Sequence, residues 1–198
     1  MNLPTRMRLE ACASEETEIA EIQFLGREDA KRGIDAQWWS DDLETKTPLA
    51  DEPDSHWNWC EIISYYQNKP KFIARCVQTP DGAIQGAMLV RRKVKSVLDP
   101  GQNAVFIDRI ATAPWNRDKL AKNPLYRGVG TGFVLYSIVL SYTQGFGGRV
   151  NLQAVASEEF HAKQGFEPTT IQQDGEIVWE IPADVAQKKL IERGIIDA

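Results

Sequence analysis

The sequence predicts an α/β domain, and three observations carry that expectation. Residues 71–79 and 83–93 are β-rich runs joined by Thr79, Pro80, Asp81 and Gly82, whose proline and glycine mark a hairpin turn. A second turn pair, Asp174 and Gly175, separates two further strand-like runs, 166–172 and 176–181. Between them stands a glycine repeat, Arg127, Gly128, Val129, Gly130, Thr131 and Gly132, ahead of a segment, 133–143, that is apolar almost all round and reads as a buried helix.

At 198 residues the chain is expected to form one domain, 1–198, large enough to bury a core without covalent staples. A hydrophobic fraction of 42% and a charged fraction of 26% are those of an ordinary globular protein. The net charge of −5, with no strongly basic run, argues against a nucleic-acid partner bound through counterion release. Cys12, Cys60 and Cys76 are odd in number and lack metal-ligand spacing, so they read as small buried hydrophobes in a reducing compartment, and no metal is expected. No apolar leader and no membrane-length run is visible, which points to a cytoplasmic protein with no membrane partner.

Taken in order, residues 7–13 alternate weakly and suggest a first strand. Ser14 followed by Glu15, Glu16 and Glu18 suggests the acidic first turn of a helix, with Ile19, Ile22 and Leu25 as its apolar stripe. Gly26 and Gly33 break that pattern, and a short second helix over 36–43 would carry Trp38 and Trp39. Residues 44–54, with Pro48 and Pro53, read as a surface loop. Asp54 or Ser55 can cap a helix running to about Gln67, in which Trp59, Ile62, Ile63 and Tyr66 recur at helical spacing. After the first hairpin, 95–103 is a polar connection and 104–112 a further strand that ends before Pro114. Gly145 suits the end of the buried helix, 149–155 reads as a strand, 158–164 as a short helix closed by Gly165, and Pro182 opens a last amphipathic helix over 183–193.

A glycine repeat at a helix start leaves several backbone N–H groups pointing outward without intrahelical partners, at the positive end of the helix dipole, and so offers a phosphate cradle. The repeat is not a P-loop, because no Gly-Lys-Ser/Thr ending follows, and its spacing fits the dinucleotide fingerprint poorly. The alternative is a glycine-rich turn that merely lets a buried helix start close to the sheet. The order of strand, Arg-Gly-x-Gly-x-Gly, helix, strand, short helix and Gly165-Phe166 resembles the GNAT acyltransferase superfamily.

The resemblance implies a GNAT fold: a mixed, mainly antiparallel sheet flanked by helices, with two splayed parallel strands forming the acyl-CoA cleft. It implies acetyl-CoA as cofactor, CoA as product, and a pyrophosphate clamp of Arg127, Gly128, Val129, Gly130, Thr131 and Gly132, in which backbone amides from Val129 to Phe133 hold the phosphate oxygens and Gly128, Gly130 and Gly132 allow close approach. Strand amides at Ile110, Ala111 and Thr112 would meet the pantetheine arm and polarise the thioester carbonyl. His161 stands where the family usually has a tyrosine acid; either it donates the proton to the leaving thiolate, or it packs or faces solvent while the thiolate leaves unassisted. For the general base, Asp108 lies where family members often place an acid, and Glu158 and Glu159 flank the short helix. Each has an ordinary alternative, Asp108 as an ion-pair partner of Arg109 or a neighbouring strand and the glutamates as a solvated first turn.

Two departures from the family stand out: His161 itself, and residues 115–126, an insertion expected to bulge over the cofactor or the acceptor. Trp38, Trp39, Trp57 and Trp59 are either an aromatic wall of the acceptor pocket or plain core packing. The implied activity is transfer of acetyl from acetyl-CoA to a primary amine of a small molecule or peptide, by direct attack in a ternary complex, since no cysteine lies near the motifs. A non-catalytic acyl-CoA sensor and a GNAT-folded interaction protein are the rival readings. A homodimer is compatible with the family.

Overall fold

The computed structural model describes residues 2–40, 49–153 and 158–197. Its strands are β1 (Arg6–Ala11), β2 (Thr17–Phe24), β3 (Phe72–Gln78), β4 (Ile84–Lys95), β5 (Asn103–Thr112), β6 (Tyr126–Arg127), β7 (Val150–Gln153), β8 (Glu167–Gln173) and β9 (Glu176–Ile181). The helices are α1 (Arg27–Ala30), α2 (Trp59–Tyr66), α3 (Val129–Thr143), α4 (Glu158–Lys163) and α5 (Ala183–Glu192). The nine strands form one mixed sheet in the order β6-β1-β2-β3-β4-β5-β7-β9-β8, in which β5 and β7 run parallel. Residues 154–157 lie outside the described residues, and with them the end of the strand expected over 149–155.

The chain divides into two compact units, Thr5–Leu89 with Arg109–Gly132, and Val90–Asp108 with Phe133–Ala198 and the first four residues. In the first unit β1 and β2 pair antiparallel from Arg6–Glu21 to Glu10–Thr17, and β2 pairs with β3. The helix expected after Ser14 is therefore a strand. Ile19, Ile22 and Leu25 do stand at helical intervals, but Ala20 and Ile22 are the buried alternate positions while Ile19 is 44% exposed, and Glu15, at φ 56°, makes the turn. Pairing on both edges outweighs a weak local stripe.

The second expected helix is displaced as well. Helix α1 and the π turn Lys31–Asp35 come earlier, and 36–39 are turn residues; positions 41–43 of the expected helix lie outside the described residues, as do 44–48 of the expected loop. Gly33 is no breaker here. A Cβ at Gly33 would come within 2.6 Å of Ile84 Cδ1, so the glycine lets the helical segment lie close over β4. Helix α2 begins at Trp59, later than Asp54 or Ser55, because the Asp35 carboxylate accepts from the Trp59 and Cys60 N–H groups at 2.8 Å each and Asn58 Oδ1 accepts from Glu61 N–H at 2.9 Å. These elements close over a core of Leu25, Ile34, Trp38, Trp59, Ile63 and Leu89. Of the cysteines only Cys76 is buried, and burial pushes its thiol up to about 12; Cys12 and Cys60 are half-buried, which corrects the expectation of three buried ones.

In the second unit the parallel register is Val105–Val150, Phe106–Asn151 and Ile107–Leu152, and β7 pairs antiparallel with β9. The expected hairpin is present, with Asp174 at φ 51° and Gly175 at φ 87° between β8 and β9. Helices α3, α4 and α5 end alike. In α3, Phe146 N–H donates to Ser141 O and Gly145 N–H to Tyr142 O; Phe166 and Gly165 make the same two bonds to His161 and Ala162, and Ile195 and Gly194 to Leu190 and Ile191. The residues of α3 from Phe133 onward are buried on every side apart from a half-buried Leu135 and the last turn, as its composition predicts.

Candidate functional site

The glycine repeat is built from the edge of β1. Strand β6 pairs with it through Glu10–Arg127 and Ala11–Tyr126, and Cys12 N–H donates to Leu125 O at 2.9 Å. The chain then turns at Gly128, whose φ of +95° a side-chain-bearing residue rarely adopts, and enters α3. The first i→i−4 bond of the helix runs from Gly132 N–H to Gly128 O at 2.8 Å, so the N–H groups of Val129 and Gly130 lie ahead of the helical ladder. No acidic residue stands in this first turn, and Gly128 is exposed.

The glycines do not share one task. A Cβ at Gly132 would fall 2.3 Å from Met7 Sδ, so this position serves close approach of the helix to β1, as the packing alternative holds for it. Gly128 supplies the turn, and Gly130 and Thr131 are half-buried. The Arg127 side chain is 57% exposed and meets the Asp118 carboxylate at 3.3 Å, which raises its already high pKa.

On β5, Ala111 is buried and Ile110 and Thr112 are half-buried. Thr112 O accepts from Arg117 Nε at 2.8 Å. Asp108 is paired with Arg91 of the neighbouring strand β4 at 2.9 Å, and the Arg91 guanidinium lies 4.9 Å from the Phe106 ring centre. Arg109 stands over Trp57, at 5.4 Å.

His161 is 5% exposed, with the rings of Phe160, Phe166 and Trp179 around it at 5.7 to 6.2 Å. Its Nδ1 finds no hydrogen-bond partner among the described residues, and burial lowers its pKa. The imidazole is therefore neutral at neutral pH. Glu158 is exposed in the first turn of α4, and Glu159 pairs with Lys163 at 3.0 Å on the same surface.

Several side chains that matter locally escaped the sequence reading. Arg117, in the inserted segment, donates to Asp54 through both terminal nitrogens at 2.6 and 2.7 Å and to Glu52 at 2.8 Å, beneath the ring of Trp39. Glu180, fully buried in β9, accepts from Ser96 Oγ at 2.5 Å and Val97 N–H at 2.6 Å. Gln85 is 1% exposed in the apolar first half of β4, Ile84 to Val90. A polar residue at an inward strand position is the signal that could have found the last two. Of the tryptophans, Trp38 and Trp59 are core residues and Trp39 and Trp57 remain partly accessible. A shallow apolar pocket lined by Phe24, Ile63, Tyr66 and Phe72 contains none of the candidate site residues.

No protein-family model matches the sequence, and no curated protein matches it significantly. Solved structures do. An acetyltransferase of the GNAT family from Listeria monocytogenes matches 82% of this chain and 94% of its own, with a TM-score of 0.51 at 16% identity. The chain has the GNAT fold. The AtaTR complex bound with acetyl-CoA matches 86% of this GNAT-fold chain and 98% of its own, with a TM-score of 0.55 at 14% identity. A KacTA–DNA complex covers 87% and 99%, with a TM-score of 0.51 at 12% identity. Identities this low carry the GNAT fold and no more. Among the described residues, no helix is long and apolar enough to cross a membrane.

Proposed function

We propose that the chain is an acetyl-CoA-dependent N-acetyltransferase acting on a primary amine of a small molecule or peptide. One observation carries the reading: an exposed glycine turn at Arg127–Gly128 opens a fifteen-residue helix whose first amides precede its hydrogen-bond ladder and whose first turn holds no acid. Such an end suits a pyrophosphate. The acetyl-CoA held in the AtaTR complex, a protein of the same fold, supports the choice of ligand.

Acetyl-CoA supplies an activated acetyl group. In the proposed reaction the amine attacks the thioester carbonyl, the C–S bond breaks, the amine loses a proton and the CoA thiolate gains one. Amides of Val129 and Gly130, ahead of the helical ladder, would hold the pyrophosphate, with Arg127 adding charge, and those of Ile110, Ala111 and Thr112 would receive the pantetheine arm and the thioester oxygen. His161 is the proposed donor to the thiolate. Being neutral, it would donate from an uncharged N–H, a weaker acid than imidazolium. Of the carboxylates, exposed Glu158 is the readier base, since Asp108 already accepts from Arg91.

The test is direct. Purified protein with acetyl-CoA and a broad amine panel should release free thiol, and Gly130→Glu, which sets a negative charge among the amides, should abolish both release and CoA binding. Stabilisation by CoA with no turnover on any amine would favour a sensor instead. Absence of any CoA binding would remove the cofactor assignment.

A further inference from the structure

The sequence reads residues 115–126 as a bulge over the bound ligand, yet the segment is anchored from below. Leu120 is fully buried and Ala121 and Asn116 nearly so. Asn116 is the hinge of a continuous polar chain. Gln85 Nε2 donates to Thr79 Oγ1 at 2.9 Å, and Gln85 Oε1 accepts from both Trp115 Nε1 at 2.9 Å and Asn116 Nδ2 at 2.8 Å. Asn116 Oδ1 in turn accepts from the Tyr126 N–H at 3.0 Å, and the Tyr126 phenol donates to Glu18 Oε2 at 2.7 Å.

Two main-chain bonds brace the same point: Leu125 N–H to Trp115 O at 3.0 Å and Cys12 N–H to Leu125 O at 2.9 Å. Residues 125–127 are thus fixed through β1, through Asn116 and through Glu18, immediately before the turn at Gly128. Every bond in the chain leaves its donor and acceptor paired, and such a network holds one arrangement because flipping either amide would oppose like atoms. Next to Glu18 the Tyr126 phenol is raised to about 12, so it stays a donor at any ordinary pH.

We infer that Gln85, Asn116, Tyr126 and Glu18 form a strut that positions the turn at Gly128 and the first amides of α3, so that the inserted segment sets the affinity for CoA. This rests on the acetyl-CoA reading above. Strut residues touch no ligand; they are positioning residues whose effect is to hold the helix start ready, sparing the bound state the ordering of a loose loop.

Calorimetric titration of the full chain with CoA tests the inference, with thermal melting of each ligand-free variant alongside. Asn116→Ala should weaken CoA about tenfold and Tyr126→Phe or Glu18→Ala about threefold, in proteins that still melt cooperatively. Glu18→Gln is the decisive control. Its amide oxygen still accepts from the phenol, so affinity should stay within about twofold of wild type, although the charge is gone as in Glu18→Ala. Equal affinity for Glu18→Ala and Glu18→Gln, or unchanged affinity in Tyr126→Phe, overturns the strut. Should Asn116→Ala fail to fold, the part-exposed Glu18 and Tyr126 variants decide alone. A wild-type chain that gives no CoA heat sinks the cofactor reading itself, whereas wild-type binding with unaffected variants sinks only the strut.

Discussion

Arg127 meets an acid before it meets any phosphate. Its guanidinium lies 3.3 Å from Asp118, both side chains being more than half exposed. A pair so exposed contributes little to stability. At the proposed CoA site it would compete with the incoming anion, so Asp118→Asn should tighten CoA binding by about twofold to fivefold, with the gain shrinking at high salt. A titration at two ionic strengths measures it, and weaker binding in the variant would contradict the competition. His161 makes a second residue-scale prediction. Burial lowers its pKa below the ordinary 6.5, so the folded chain binds its proton less readily than the unfolded one. Its contribution to stability is whole above about pH 6.5 and is lost as pH falls toward the depressed folded value, by at most about 1.4 kcal/mol per pH unit. His161→Phe should flatten that acid limb in denaturant midpoints taken between pH 7 and 5.

At the scale of elements, Gly132 and Met7 join α3 to β1. Gly132→Ala presses a methyl onto Met7 Sδ and should cost about 1–3 kcal/mol. Met7→Ala clears the space, so in the double variant the two costs should fall short of their sum, a coupling that chemical denaturation resolves. Elements with strong local signals were legible in the sequence: both hairpins, the all-round apolar α3 and the glycine helix stops follow from turn chemistry and composition. Strand β2 was not, because Ile19, Ile22 and Leu25 fit a helix until pairing with β1 and β3 decides. The start of α2 was hidden for a different reason. Its cap is local, Asn58 with Glu61 three residues on, but the carboxylate that accepts from Trp59 and Cys60 N–H, Asp35, lies 24 residues upstream, and no local pattern announces a distant carboxylate.

For the whole molecule, the turn at Gly128 and the helix start behind it were the part of the candidate site readable in advance, since backbone conformation is written in residue type. The surroundings of His161, Asp108 and Glu158 were not, because burial and ion pairing depend on which distant residues arrive beside them. If the ligand assignment holds, CoA at about 100 times its Kd stabilises the folded chain by about 2.7 kcal/mol. At this size that corresponds to a rise in Tm of roughly 5–11 °C, visible in a thermal scan. A flat response across millimolar CoA would count against the assignment.

The Met7 contact carries one more implication, for how such a chain can vary over time. A turn whose glycine lies against a thioether loses stability when either side changes alone. A lineage that replaced Gly132 with a larger residue would keep more stability with a smaller one at position 7, so the two sites are expected to change as a pair, joining the amino terminus to the middle of the chain as one heritable unit.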